Sequence, residues 1–302
     1  MDATLHAIDE RIAALREQLR ARYGWTHLDV YAVLEPPRLR ILGTVAVPSL
    51  ASRLRERLLP CLPAGLQLDI DVGPMPALAW YPVLQVPLEL WSEHPSQTKR
   101  SLATELLPDD GPIALLAEVL PGLLVRAVDG TVGWTDGTID TLGPTVAPRL
   151  LVAPELPEDP GAALLQAAVA RLGIPYVLGG TSPTRIDCSG LVARTYADAL
   201  GITLPRHSTD QLAIAGGGEL IERAEGDAGD LLFVRSRSLG RSHVALATGR
   251  GTVIHASRSR NGVLEEAAAD FESDAEWIRR IRWQAIVDWS RTQIGRPHVE
   301  LP

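Results

Sequence analysis

Apolar positions recur every three or four residues through the first stretch of the chain, at Leu5, Ile8, Ile12, Leu15 and Leu19. That spacing puts them on one face of a helix, so residues 1–23 are predicted to form an amphipathic α-helix. The pattern then shortens. Residues 28–34 and 39–47 read as two strands joined at Glu35-Pro36-Pro37. Pro48-Ser49 opens a second helix over residues 50–59, and Pro63-Ala64-Gly65 closes it before a strand over residues 66–72. Helix, strand, strand, helix, strand across residues 1–75 make a small α+β domain.

From Trp80 to about Pro154 the chain turns to short apolar runs punctuated by Gly and Pro. The runs cover residues 83–86, 113–119, 123–127 and 132–134, the spacing of a small β-barrel over residues 76–155. Asp129-Gly130 supplies a tight turn near its end. Residues 154–160 are rich in Pro and acidic side chains and read as a linker. The last domain, 156–302, starts with an apolar helix over residues 161–172. Trp277, Ile278, Ile281, Trp283 and Ile286 near its end fit a helix, or a strand and a helix, packed on the core. The fold class expected is therefore multi-domain α+β.

Composition narrows the function. At 302 residues, two or three domains are expected. A hydrophobic content of 46% with 22% charged residues fits a globular chain. The net charge of -8 argues against nucleic acid as a partner. The first twenty residues interleave Asp, Glu and Arg with Leu, Ile and Ala, without the continuous apolar run of a signal sequence. No run is long enough to span a bilayer. A cytoplasmic location with no membrane partner is the expectation. Cys61 and Cys188 are too few for a disulfide framework and fall in different domains. Without Cys-x-x-Cys, His-x-x-x-His or an acidic calcium loop, neither a metal nor another cofactor is expected. Glycine pairs such as Gly179-Gly180 read as a close-packed turn, not a phosphate loop.

The candidate chemistry lies in the last domain. Asp187-Cys188-Ser189-Gly190 precedes Leu191, Val192, Tyr196, Ala199 and Leu200 at helical spacing, so Cys188 opens a helix. Free N–H groups and the macrodipole at a helix start favour a thiolate, and the same N–H groups suit a tetrahedral oxyanion. A lone cysteine among aliphatic residues is more often simply buried; Asp and Ser as neighbours turn the balance toward catalysis. His243 and His255 each sit in a short alternating strand. A hairpin symmetric about Gly249 would set them directly opposite each other, and a slip of one residue would put them on opposite faces. In that pairing His243 is the general base for Cys188, and His255 fixes its tautomer. His6, His27, His94 and His298 fall in segments expected at the surface or the termini, and His207 lies in a loop before a helix.

Taken together, Pro175-Tyr-Val-Leu-Gly-Gly180, Asp187-Cys-Ser-Gly190, Leu204-Pro-Arg206 with Gln211, Gly229-Asp-Leu-Leu-Phe233, Ser242-His-Val244 and Ile254-His-Ala256 resemble the NlpC/P60 cell-wall peptidases. The resemblance implies a papain-like α+β catalytic domain with Cys188 as nucleophile, His243 as base and His255 as third polar residue. It also implies that Tyr176 helps hold the oxyanion. One departure is Arg185-Ile186, where many members have Gly-Phe. Residues 123–134 resemble the closing hairpin of a bacterial SH3 domain, and the pattern around residues 39–47 resembles a BON domain. Members with an SH3 module hydrolyse the amide between γ-D-glutamate and the diamino acid of murein stem peptides. In them the module closes one end of the cleft, which restricts substrates to those with a free N-terminal L-Ala. Asp187 and Ser189 are then expected to hold its ammonium group, and recycling of imported muropeptides is the expected role. Two alternatives stay open: a non-enzymatic wall-binding protein, and a same-fold amidase or acyltransferase acting on polymeric wall. The diamino acid and the oligomeric state are open as well.

Overall fold

The computed structural model describes residues 2–47, 49–84, 87–154, 156–238 and 240–295. The first part is a helix, α1 (Asp2–Tyr23), packed on a three-stranded sheet of β1 (Leu28–Glu35), β2 (Arg38–Val45) and β3 (Gln67–Pro74), with α2 (Ser49–Leu58) between the last two strands. β1 and β2 are antiparallel, β2 and β3 parallel. The apolar stripe of α1 faces inward: Ile8, Ile12, Leu15 and Leu19 are buried with Leu39, Ile41, Leu54 and Leu58 in one core, and Leu5 is partly buried against it. Pro48, expected to open α2, lies outside the described residues.

Six antiparallel strands follow: β4 (Ala79–Tyr81), β5 (Leu88–Trp91), β6 (Leu102–Leu106), β7 (Ile113–Val119), β8 (Gly122–Arg126) and β9 (Val132–Asp136). Their order in the sheet is β4-β7-β8-β9-β5-β6. The strand expected at residues 83–86 does not form at Val83 and Leu84, and residues 85 and 86 lie outside the described residues. β5 and β6 were not anticipated, because each alternates only briefly and carries acidic residues. Those residues, Glu89 and Glu105, are taken up by contacts to the last part of the chain. His94 is not at the surface as expected. Its Nε2 lies 2.8 Å from the Val119 carbonyl, and its ring stands edge-on to Trp134. His6 is exposed beside Glu10, His27 meets Thr44 Oγ1 at 2.7 Å, and His298 lies outside the described residues.

The last part begins with α3 (Pro160–Val169), whose N-cap Asp159 accepts from Ala162 N–H. A short hairpin, β10 (Thr181–Ser182) and β11 (Arg185–Ile186), leads into α4 (Cys188–Leu200) and then α5 (Ser208–Ala213). The remaining elements are β12 (Glu219–Ile221), β13 (Leu231–Ser236), β14 (Ser242–Ala247), β15 (Thr252–Ser257), β16 (Gly262–Ala267), α6 (Ala268–Phe271), β17 (Ala275–Ile281) and α7 (Trp283–Arg291). The sheet order is β12-β17-β13-β14-β15-β16. α4 is buried along Leu191, Val192 and Tyr196 against Phe233, Val244, Leu246 and Ile254 of that sheet. This packing brings the start of α4 to the strand that carries His243. Among the described residues no helix is long and apolar enough to cross a membrane.

Candidate active site

Cys188 is the first residue of α4, and Asp187 is its N-cap, accepting from Gly190 N–H at 2.8 Å. The backbone N–H groups of Val244 and Ser189 are directed at the sulfur, which places it against β14 beside His243. Burial pushes the thiol up to about 12, and the charge of Asp187 adds to the rise; the two N–H groups and Arg206 only partly offset it. The helix start expected to favour a thiolate is thus outweighed by desolvation.

The two histidines share a face and touch, with His243 Nε2 2.7 Å from His255 Nδ1 and ring centroids 5.0 Å apart. The register differs from the expected one. Leu246 pairs with Ile254 and Ala247 with Val253, so the hairpin is symmetric about Arg250, not Gly249. A shift of one residue in the centre moves each partner by two, which preserves the face and turns a direct pair into a diagonal one. Burial drives His243 down to about 4, opposed by the charge of Asp187. Burial, then His243, drives His255 down to about 3. Both rings are neutral near pH 7. Phe271 walls them in, with centroids 5.6 Å from His243 and 5.3 Å from His255. With Nε2 of His243 committed to His255, its Nδ1 is the atom left to take a proton.

Tyr176 lies close to Cys188, and its backbone N–H donates to the Asn261 carbonyl. Burial, followed by the charges at Cys188 and Asp187, raises its hydroxyl to about 12, while Arg258 and Arg206 oppose the rise. It stays a proton donor.

Asp187 and Ser189 differ from expectation. The Asp187 carboxylate is 3% exposed. One oxygen accepts from Ser189 Oγ, Gly190 N–H and Arg206, and the other from Gly179 N–H and Arg206. Burial works against its charge, but Arg206 and the two backbone N–H groups prevail and hold the carboxyl below its usual range. Five hydrogen bonds fill its acceptor positions, so it has none to offer a substrate ammonium. Ser189 Oγ is likewise tied between Asp187 and Arg206. Both residues brace the start of α4.

Arg206 and Gln211 stood in the sequence pattern without a role. Arg206 is 2% exposed and forks onto Asp187 at 3.0 and 2.7 Å. Gln211 Nε2 ties the Ser189 and Pro205 carbonyls at 3.0 and 2.9 Å. Residues 206–211 are all polar, so local pattern gave no signal that these two side chains are buried. Arg185, the departure from the Gly-Phe pattern, is an inter-sheet contact. Its Nε donates to Glu105 Oε1 at 2.9 Å and its outer nitrogen meets Glu89. Glu105 also receives Thr181 N–H at 3.1 Å, and Arg194 bridges Asp110 and the Thr181 carbonyl. The six-stranded sheet is therefore fixed beside the loop that leads to Cys188. A cavity of about 490 Å³ lies where all three parts meet, lined by Tyr23, Trp25, Trp134, Asp129, Arg206 and Asp210 among others. Among the described residues no cluster of His, Cys, Asp or Glu is arranged to hold a metal ion.

Comparison with known proteins places this arrangement in a class. A model of the NlpC/P60 family matches residues 173–280. A probable endopeptidase of Corynebacterium glutamicum is 33% identical over 154 residues, which are 50% of this chain and 69% of that protein. The gamma-DL-glutamyl hydrolase of Bacillus subtilis is 37% identical over 128 residues, 40% of this chain but only 30% of the hydrolase. Among solved structures, the NlpC/p60 domain of the peptidoglycan hydrolase SagA is 31% identical, with 40% of this chain covering 98% of that domain at a TM-score of 0.34. The chain belongs to the NlpC/P60 family.

Proposed function

We propose that the protein is a cysteine peptidase that hydrolyses the γ-D-glutamyl–diamino acid amide of murein stem peptides bearing a free N-terminal L-Ala. The observation that carries the reading is the contact of His243 Nε2 with His255 Nδ1 next to a sulfur that receives the Val244 N–H, an arrangement that leaves His243 Nδ1 for the thiol proton. In this mechanism Cys188 passes its proton to His243 Nδ1 as the sulfur attacks the γ-carbonyl. The Ser189 N–H and the Tyr176 hydroxyl suit the oxyanion. His243 then protonates the departing amine, and the acyl group stays on sulfur as a thioester. Water gives a proton to the same nitrogen, attacks the thioester and restores the thiol. Because the resting pair is neutral, the thiolate arises during attack rather than beforehand.

Selection for a free amine rests on the resemblance of residues 123–134 to the closing hairpin of SH3 modules that close one end of the cleft. The bonds from Glu105, Glu89 and Asp110 to Thr181, Arg185 and Arg194 support a fixed wall there. With Asp187 occupied by Arg206, the ammonium is read by other acceptors at that wall. A cytoplasmic recycling role is part of the same proposal. No metal or cofactor takes part in it.

The test is incubation with L-Ala-γ-D-Glu-meso-diaminopimelate and with its N-acetylated form, followed by mass spectrometry, with Cys188→Ala as control. Release of L-Ala-γ-D-Glu from the free peptide alone is the expected result. Cleavage of both forms would replace recycling with a wall-directed amidase or acyltransferase. Cleavage of neither would leave a wall-binding protein.

A further inference from the structure

We propose that Glu266 is a positioning residue for the hydrolytic site, holding His255 in the tautomer that lets His243 act as base. The inference rests on the proposed roles of Cys188 and His243 and extends them by one residue that the sequence pattern did not single out.

Three adjacent strands carry the line. His243 is on β14, His255 on β15 and Glu266 on β16. In the β15–β16 register Val253 faces Glu266 and His255 faces Leu264. Glu266 therefore lies diagonally from His255 on the same face of the sheet. Its Oε1 is 2.9 Å from His255 Nε2. The approach lies off the line of the ring N–H, so Nε2 has no in-line hydrogen bond in the resting structure although the ring is only 4% exposed. The terminal torsion of a glutamate is broad, and a small rotation brings the carboxylate onto the N–H.

The proton positions follow by elimination. A neutral imidazole has one N–H and one acceptor nitrogen. To accept from Cys188, His243 must be bare at Nδ1 and protonated at Nε2. Its Nε2–H then donates to Nδ1 of His255, so His255 carries its proton at Nε2, facing Glu266. A carboxylate there accepts only, and fixes every tautomer in the line. As His243 takes up the thiol proton, the same negative charge favours the imidazolium. No proton reaches Glu266 in the step.

Few other charges face this carboxylate. Asp270 of α6 repels it, and Arg260 of the β15–β16 turn attracts it. Glu265, its chain neighbour, pairs with Arg250 and Thr252 instead. Burial and then Asp270 raise the Glu266 carboxyl above its usual range, against the pull of Arg260. Once protonated, it would donate to Nε2 and reverse both tautomers, leaving His243 with a hydrogen toward the thiol. Activity then falls as pH drops through the Glu266 titration.

The experiment compares the wild type with Glu266→Gln, Glu266→Leu and Glu266→Asp. Hydrolysis of the stem peptide is followed against pH, Cys188 alkylation by iodoacetamide against pH, and the ring nitrogens of ¹⁵N-histidine-labelled protein by NMR. Glu266→Gln is expected to lower kcat at least tenfold with KM within twofold and to shift the acid limb, with Glu266→Asp recovering part of the loss. The spectrum of His255 is expected to pass from a single Nε2–H tautomer to a mixture in Glu266→Leu. Wild-type kcat, pH profile and tautomer in both Gln and Leu variants would overturn the proposal. A Leu variant that fails to fold leaves Glu266→Gln to decide. If the wild type cleaves no stem peptide, the proposed substrate fails, while alkylation and the ring spectra still decide the role of Glu266.

Discussion

Gly179→Ala tests how tightly the six-stranded sheet is held against the loop that leads to Cys188. Gly179 has φ +87°, and a Cβ there would stand 2.1 Å from the Leu102 carbonyl oxygen and 2.7 Å from its carbon. Gly173 is a matched control, with φ +84° and nothing within 4 Å of a Cβ. Both substitutions incur the left-handed penalty of an L-residue, roughly 1–2 kcal/mol. Only Gly179→Ala also requires β6 to retreat, since an ordinary C···O contact is about 3.3 Å. A retreat of about 1 Å disrupts the bonds that join Glu105 and Thr181: Glu105 N–H to Thr181 Oγ1, Thr181 N–H to the carboxylate and Thr181 Oγ1 to the Glu105 carbonyl. At about 1 kcal/mol for each hydrogen bond, losing two of them brings the total for Gly179→Ala to roughly 3–4 kcal/mol. Urea unfolding of the two variants reads the difference. Gly179 N–H also donates to Asp187 Oδ2 at 2.8 Å, so Gly179→Ala should lower kcat while Gly173→Ala leaves it unchanged. Equal losses of stability in the two variants would refute a close-packed contact between β6 and this loop.

Three further outcomes are expected. Arg206→Met leaves the Asp187 carboxylate buried and unpaired, and should cost about 3–5 kcal/mol; adding Asp187→Asn should recover part of it, as measured by denaturant unfolding. The depressed histidines make stability acid-sensitive: both stay neutral in the fold while the unfolded chain takes up protons below about 6.5. Their contribution is complete above that pH and is lost as pH falls from about 6.5 toward 4, by at most about 1.4 kcal/mol per pH unit per ring. Thermal unfolding between pH 7.5 and 5 should therefore be less steep in pH for His255→Asn than for the wild type. The raised thiol of Cys188 should react slowly with iodoacetamide at neutral pH and faster as pH climbs beyond 9, with peptide mass spectrometry separating it from Cys61.

Much of the local structure was legible because it depends on neighbours a few residues apart. The stripe of α1, the β7 limits and the position of Cys188 at a helix start all follow from spacing and punctuation, whereas at the end of the chain spacing left a single helix and a strand–helix pair open. β5 and β6 were missed because their acidic residues look like surface positions until partners arrive from residues 181–194. The same distance explains Asp187. Next to a cysteine it reads as a substrate anchor, and only the fold shows Arg206 filling its acceptor positions.

The sequence alone determined the chemistry available to this protein: one cysteine opening a helix, two histidines on alternating strands, and motifs that resemble a peptidase family. Tertiary structure decided how those groups behave. It set the hairpin about Arg250, turned a direct histidine pair into a diagonal one, desolvated the thiol enough to oppose its ionisation, and brought Glu266 to the far side of His255. Ionisation and tautomer depend on what surrounds a group in space, and the contacts that set those surroundings join strands and loops as much as 96 residues apart along the chain.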